Sequence, residues 1–324
     1  MTNIDIDKQI KLQSIFLPYT KERRDAVVAQ KGKFVHYTSA ENAMNIIKSK
    51  KLWMRNTKCM NDYMEVSQGH FLLVQFFEDK TRKKYFCNVL EPFGKEIGMN
   101  SLKLFDQWWN NIETNTFIAS ISEHEHDEDI NGRLSMWRAY GHPSAKAAVV
   151  LNIPFEPHGA TKGLNLMLSP VSYFGYTNLE KKLYTILENI NKNNDFLVSL
   201  GAEAIIELVL TTLLMIAVSL KHEGFKEEKE WRVIYLPTLR PSKLISRNIE
   251  TLDGVPQDIY KIPLEDNPAE NVIGIGIPQL IERIIIGPST YPIPMYQAFT
   301  AALTEAGVEK AASKVIISDI PLRT

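Results

Sequence analysis

Apolar residues in this chain change their spacing several times, and each change marks a predicted element. Val35 to Tyr37 reads as a short strand. From Ser39 or Ala40 to Lys50, Ala43, Ile46 and Ile47 fall on one face at helical spacing, and Ser39 is suited to cap the first turn. Leu52 to Arg55 is a further extended piece. Asn61 to Lys80 carries Met64, Phe71, Leu72, Val74 and Phe76 among polar residues, which predicts a helix. Residues 81 to 115 continue helically, with breaks at Pro92 and Gly94. Phe117 to Ser122 and Ala147 to Ile153 are apolar runs of strand character, separated by a polar, acidic loop. Two helices around a break at Asn191 to Asp195 fill residues 178 to 222, and Trp231 to Leu236 returns to strand.

Residues 237 to 270 hold five prolines and little periodicity, so they read as loop with one strand. Arg283 to Gly287 is a buried strand, Pro294 to Ala306 a helix that Gly307 stops, and Val315 to Ser318 the last strand. Strands and helices alternate irregularly and no repeat occurs, so the predicted class is α+β rather than a doubly wound sheet. Residues 5 to 30 are charged and helix-permissive apart from Pro18. The expected organisation is an N-terminal helical extension over 1–33 and a single domain over 34–324, with helical insertions at about 60–115 and 178–222.

Composition narrows the function classes. At 324 residues, 44% hydrophobic and 23% charged, the chain can bury a full core. A net charge of -1 and a pI near 6.7 give no whole-protein electrostatic footprint for DNA or anionic membrane. Arg82, Lys83 and Lys84, and Lys21, Arg23 and Arg24, are local basic clusters suited to phosphate. The longest uncharged apolar stretch, Leu208 to Leu220, is thirteen residues, short of the roughly 20 that span a bilayer. Cys59 and Cys87 lack metal-ligand spacing, and the acidic start of the chain is unlike a signal peptide. A cytoplasmic setting is expected.

Three segments hold candidate chemistry. His36 ends a strand beside Tyr37, Thr38 and Ser39; a lone histidine is more often structural, but the neighbouring hydroxyls and ring raise its interest. In Phe117 to Ser122, Ser120 and Ser122 share a face, followed downstream by Trp137 and Tyr140 as aromatic surfaces, although core packing is the commoner use of such rings. In Glu227-Glu228-Lys229-Glu230-Trp231-Arg232, Glu228 and Glu230 are expected on one strand face, where paired carboxylates suit a cationic transition state. Asp127, Asp129, Asn131 and Gly132 start like a calcium loop, but its twelfth position is Arg138 where a bidentate Glu is needed, so no metal is expected. His124, His126, Asp127 and Asp129 leave a metal-dependent phosphodiesterase or nuclease as a rival reading. Walker, GxGxxG, HExxH and GxSxG motifs do not occur.

Seven segments in order, VHYTSAENAMNII, MNDYME, FIASIS, SMWRAYG, FKEEKEWRVIY, RIIIGP and ISDIPLR, resemble a widespread bacterial family known only as a domain of unknown function. A more remote resemblance is to ADP-ribosyltransferases, whose early strand carries a His with a following hydroxyl, whose later strand carries Ser-x-Ser, and whose third element is Glu-x-Glu. That likeness implies a catalytic-type domain with a mixed central sheet of the transferase kind, and NAD as substrate. His36, with Tyr37, Thr38, Ser120, Ser122, Trp137 and Tyr140, would bind NAD; Glu230 would stabilise the oxocarbenium ion and Glu228 would help select the acceptor. Asn61, Asp62 and Glu65, in a segment that belongs to the unknown-function pattern and has no transferase counterpart, are candidates with Arg232 for the acceptor side. It further implies a toxin-like effector in bacterial conflict, such as antiphage defence, acting on RNA or protein and held by an antitoxin. A non-catalytic nucleotide-binding or sensor module is the other rival.

Overall fold

The computed structural model describes residues 6–60, 65–140, 145–154, 163–252 and 254–322. Its helices are α1 (Ile6–Phe16), α2 (Pro18–Ala29), α3 (Ala40–Ser49), α4 (Glu65–Glu78), α5 (Lys80–Leu90), α6 (Ile97–Thr114), α7 (Leu134–Ala139), α8 (Tyr176–Lys192), α9 (Asn194–Val198), α10 (Ala202–Val218), α11 (Ile277–Leu280) and α12 (Pro292–Glu305). Its strands are β1 (Lys33–Ser39), β2 (Lys51–Asn56), β3 (Phe117–His124), β4 (Lys146–Leu151), β5 (Met167–Pro170), β6 (Ser172–Tyr173), β7 (Leu220–Lys221), β8 (Glu230–Tyr235), β9 (Ser246–Leu252), β10 (Val255–Pro263), β11 (Ile281–Ile286) and β12 (Val315–Ile317). The class is α+β with a mixed open sheet.

The chain forms two compact units. One gathers Met1–Asp25, Asn56–Thr116 and Ser169–Lys226, the other Ala26–Arg55, Phe117–Leu168 and Glu227–Thr324. The first is helical: α10 packs on α4 and α6, and α5 on α6 and α8. The apolar stretch from Leu208 to Leu220 runs through most of α10 into β7, with Leu213, Leu214, Met215, Ala217 and Val218 buried. Gly69 of α4 lets the two helices touch, because a Cβ there would stand 2.3 Å from the Ala217 carbonyl oxygen. No described helix is long and apolar enough to cross a membrane.

The second unit holds the sheet, in the order β12-β11-β4-β1-β3-β2-β10-β9, with β8 on β3 and β5 on β8. Strand β1 pairs antiparallel with β3 and β4, β3 with β8, β10 with β2 and β9, and β11 with β4, whereas β11 and β12 are parallel, with Ile284 facing Val315. One face buries Phe34, Ala119, Ile121, Trp231, Val233 and Val149 in the larger apolar core, while Val35, Tyr37, Ala148, Val150 and Ile285 pack on the other with Met136 and Trp137. Strand β4 therefore has apolar neighbours on both sides, which is why its sequence is a continuous apolar run rather than an alternation. Helix α3 starts where Ser39 Oγ accepts the Asn42 N–H at 3.1 Å and stops at Lys50, in the left-handed region at φ 51°, which turns the chain directly into β2.

Two expectations change. Residues 246–263 are a hairpin of two paired strands, β9 and β10, joined near Gly254 at φ 80°. Residues 178 to 222 hold three helices, the additional one being α9 after Asn193.

Candidate functional site

The sheet forks at β3. Strand β8 takes one edge of β3 from Phe117 to Ser122, so β1 and β2 must share the other edge. Strand β1 pairs there only through Lys33, Phe34 and Val35, the last opposite Ser122, and from His36 onward it stays with β4 alone. The Ser120 carbonyl on the freed edge needs a partner other than a strand. His36 provides it, with Nδ1 at 2.8 Å from Ser120 O. A carbonyl only accepts, so Nδ1 carries the proton; burial holds the His36 pKa below its ordinary value, and the ring is neutral with Nε2 as an acceptor.

Ser120 joins this fork to a charged group. Its Oγ donates to Glu230 Oε1 at 2.6 Å, and Arg232 reaches the same carboxylate with Nε at 3.1 Å and Nη2 at 3.4 Å. Register explains the meeting: Ser122 faces Glu230 and Ser120 faces Arg232 across β3 and β8, which puts all four side chains on one sheet face. Glu230 is 4% exposed and Arg232 fully buried. A charge pair this dry persists only with further hydrogen bonds, and the Ser120 hydroxyl is one of them. The continuous path His36, Ser120, Glu230, Arg232 joins a neutral imidazole, a hydroxyl and an anion in one hydrogen-bonded chain.

An arginine that the sequence reading passed over fixes the approach to Glu230. Gly132, at φ 66° against the Trp137 ring, turns the chain so that Arg133 points back to the sheet. Arg133 Nε and Nη2 donate to the Glu128 carboxylate at 2.6 and 3.0 Å, Nη1 to the carbonyls of Glu227 and Glu228 at 2.9 and 3.2 Å, and Nη2 to the Glu123 carbonyl at 2.9 Å. Its backbone N–H donates to the Tyr37 hydroxyl at 2.7 Å. Lys229, whose φ is 45°, pairs with Glu125, and Trp231 Nε1 donates to Glu123 Oε1 at 2.7 Å. The segment entering β8 is thus anchored from Glu227 to Trp231.

Several expected site residues lie elsewhere. Glu228 ends a 3-10 turn over Glu223–Glu228, and β8 begins only at Glu230, so the two carboxylates do not share a strand face; left-handed Lys229 breaks the two-residue period. Tyr37 is buried with its ring edge-on to Trp137 at 4.9 Å, and burial pushes its phenol up to about 12, so it is a core residue and not a stacking surface. Trp137 is 1% exposed and donates Nε1 to the Asn131 carbonyl, which removes it from the stacking candidates too. Tyr140 is half-buried against the same cluster. Thr38 Oγ1 accepts from Asn42 Nδ2 at 3.3 Å at the start of α3. Asn61 and Asp62 lie outside the described residues; Glu65 opens α4 in the helical unit. His124 is buried with Nε2 at 2.9 Å from Asp129 Oδ1, and desolvation lowers its pKa. Among the described residues no group of three or more His, Cys, Asp and Glu is arranged to hold a metal ion.

Residues 136–233 match the model of a family described as a protein of unknown function (DUF2971). The matched stretch includes Met136 to Gly141 and Phe225 to Val233, and so takes in α7 from Met136 onward and the entry into β8 with Glu230 and Arg232. No curated protein and no solved structure matches the chain.

Proposed function

We propose that the chain is an NAD-dependent ADP-ribosyltransferase acting on a macromolecule. The observation that carries the reading is the hydrogen-bonded chain at the sheet fork, where one residue, Ser120, is bound through its carbonyl to His36 and through its hydroxyl to Glu230. Those are the residues that the transferase likeness pairs with the NAD ribose and nicotinamide. In this reading the bond between the nicotinamide nitrogen and the ribose carbon breaks, and nicotinamide leaves with the electron pair. The Glu230 carboxylate faces the resulting oxocarbenium ion and lowers its energy electrostatically. An acceptor oxygen or nitrogen then bonds to the ribose carbon and releases its proton. His36, neutral at physiological pH, presents Nε2 to a ribose hydroxyl. Glu228, at the mouth of β8 and off its face, is assigned to the acceptor side.

The target class, RNA or protein, the toxin-like role in antiphage conflict and an antitoxin partner rest on the resemblance alone, and the cytoplasmic setting on cysteine usage. A second reading, a non-catalytic nucleotide-binding module, is favoured by one observation: Arg232 occupies the carboxylate that catalysis would need. The test is nicotinamide release from NAD by wild type and Glu230→Gln, with cell extract as acceptor and label on the adenylate. Release with label entering RNA or protein, lost in a folded variant, supports the transferase. Binding of NAD without release from either supports the module.

A further inference from the structure

Away from the fork, the helical unit contains an unassigned cavity. Its walls leave about 540 Å³ of empty space, the open solvent at its mouth included. Leu17, Tyr19, Phe174, Leu179, Met215 and Leu220 make its wall largely apolar. Thr20, Ser169, Ser172, Lys182 and Ser219 interrupt that wall, and the last two lack, among the described residues, the partners such groups usually have. Lys182 Nζ lies 5.6 Å from the Tyr19 ring centre and 5.9 Å from that of Phe174, and among the described residues it forms no ion pair. Ser219 is 4% exposed, and its Oγ has no hydrogen-bond partner. A buried hydroxyl without a partner is unusual in a folded protein. A second cavity of about 350 Å³, lined by Phe76, Phe86, Leu187 and Val209, shares Phe16 and Ile186 with the first. Those two side chains line both chambers, and Thr212, which also lines the second, spends its hydroxyl on the Leu208 carbonyl.

We propose that the helical unit binds a medium-chain aliphatic carboxylate. Its head takes the Lys182 ammonium and the Ser219 hydroxyl, and its chain runs over Phe16 and Ile186 toward the second cavity. The charge of Lys182 selects an anion, the unpartnered Ser219 hydroxyl fits a carboxylate acceptor, and the paired, mainly apolar chambers select an extended hydrocarbon over a compact ring.

Calorimetric titration of the full chain with dodecanoate, kept below its micelle concentration, tests this. One site per chain is expected. Lys182→Glu, at a half-exposed position that leaves the fold intact, weakens binding by about tenfold or more. Ser219→Ala weakens it less, and dodecyltrimethylammonium does not compete. Ile186→Trp, which narrows the passage, shifts preference from dodecanoate to octanoate. Equal affinity in wild type and Lys182→Glu, or no binding of any chain from octanoate to hexadecanoate, overturns the proposal. So does capture of the chain by phosphatidylglycerol vesicles with no binding of free dodecanoate, since the anion would then be a membrane headgroup.

Discussion

Replacing Arg133 by alanine removes five side-chain hydrogen bonds at once, and the structure allows its cost to be worked out. Two of them are charge-assisted bonds to Glu128, at 2.6 and 3.0 Å between side chains each 12% exposed. Breaking a largely buried ion pair by deleting one partner costs about 3–5 kcal/mol, because the other charge is left behind. The carbonyls of Glu227, Glu228 and Glu123 also lose their donor, but Arg133 Nη1 meets Glu227 at the surface, where water can replace it. The lower end, about 3 kcal/mol, is therefore expected for the sheet unit. Lysine restores one charge without the planar fork and recovers less than half of the loss. With a urea dependence of about 2 kcal/mol per molar, the alanine variant unfolds about 1.5 M earlier. Hydrogen exchange read on peptides covering residues 227–235 localises the effect: amides of β8 should lose protection while those of α10 in the helical unit should not. Nicotinamide release should fall in Arg133→Ala and return in part in Arg133→Lys. A urea midpoint within about 0.5 M of wild type, with protection of β8 unchanged, would refute the idea that Arg133 anchors the entry to Glu230.

Glu230→Gln should end nicotinamide release and also destabilise the sheet unit by about 3 kcal/mol, because the fully buried Arg232 loses its carboxylate; the double change with Arg232→Met should recover much of that stability in urea unfolding while staying inactive. For His36 the folded pKa is lowered, so the unfolded chain binds the proton first: its contribution to stability is complete above about 6.5 and declines as pH falls from there toward the folded value, by at most about 1.4 kcal/mol per pH unit. His36→Gln should flatten the fall of stability with pH just below about 6.5, and an unchanged slope would show that the ring is free to protonate in the fold. Gly69→Ala should cost the helical unit about 2–3 kcal/mol despite a better helix former, since the methyl would meet the Ala217 carbonyl at 2.3 Å; circular-dichroism melting checks it, and a neutral result would mean that α4 and α10 do not cross this closely.

What could be read in the chain and what could not divides along a physical line. Strands β1, β3, β4, β8 and β11 carry runs such as Phe34-Val35 and Ile284-Ile285-Ile286, whose burial follows from composition alone, and helix α3 carries both its stripe and its cap. Strand β9 was hidden because it lies at the sheet edge with most residues exposed, so no apolar alternation marks it. Tyr37 and Trp137 were misassigned because an aromatic at helical or strand spacing looks the same whether it lines a site or fills a core; only the fold shows the edge-on pair. Glu228 was placed on a strand face by a two-residue period that holds only if every backbone dihedral is extended, and Lys229 is not. The fork itself, the His36 contact and the Arg133 clamp share a further property. In each, a side chain binds a main-chain carbonyl, of Ser120, Glu123, Glu227 or Glu228. Every residue except the chain's end offers that same acceptor, so nothing in the identity of the partner residue announces the contact. The sequence could therefore display the imidazole, the hydroxyl and the carboxylate as chemistry, but the arrangement joining them depends on where β1 leaves β3, and that is decided by the tertiary packing of both strands.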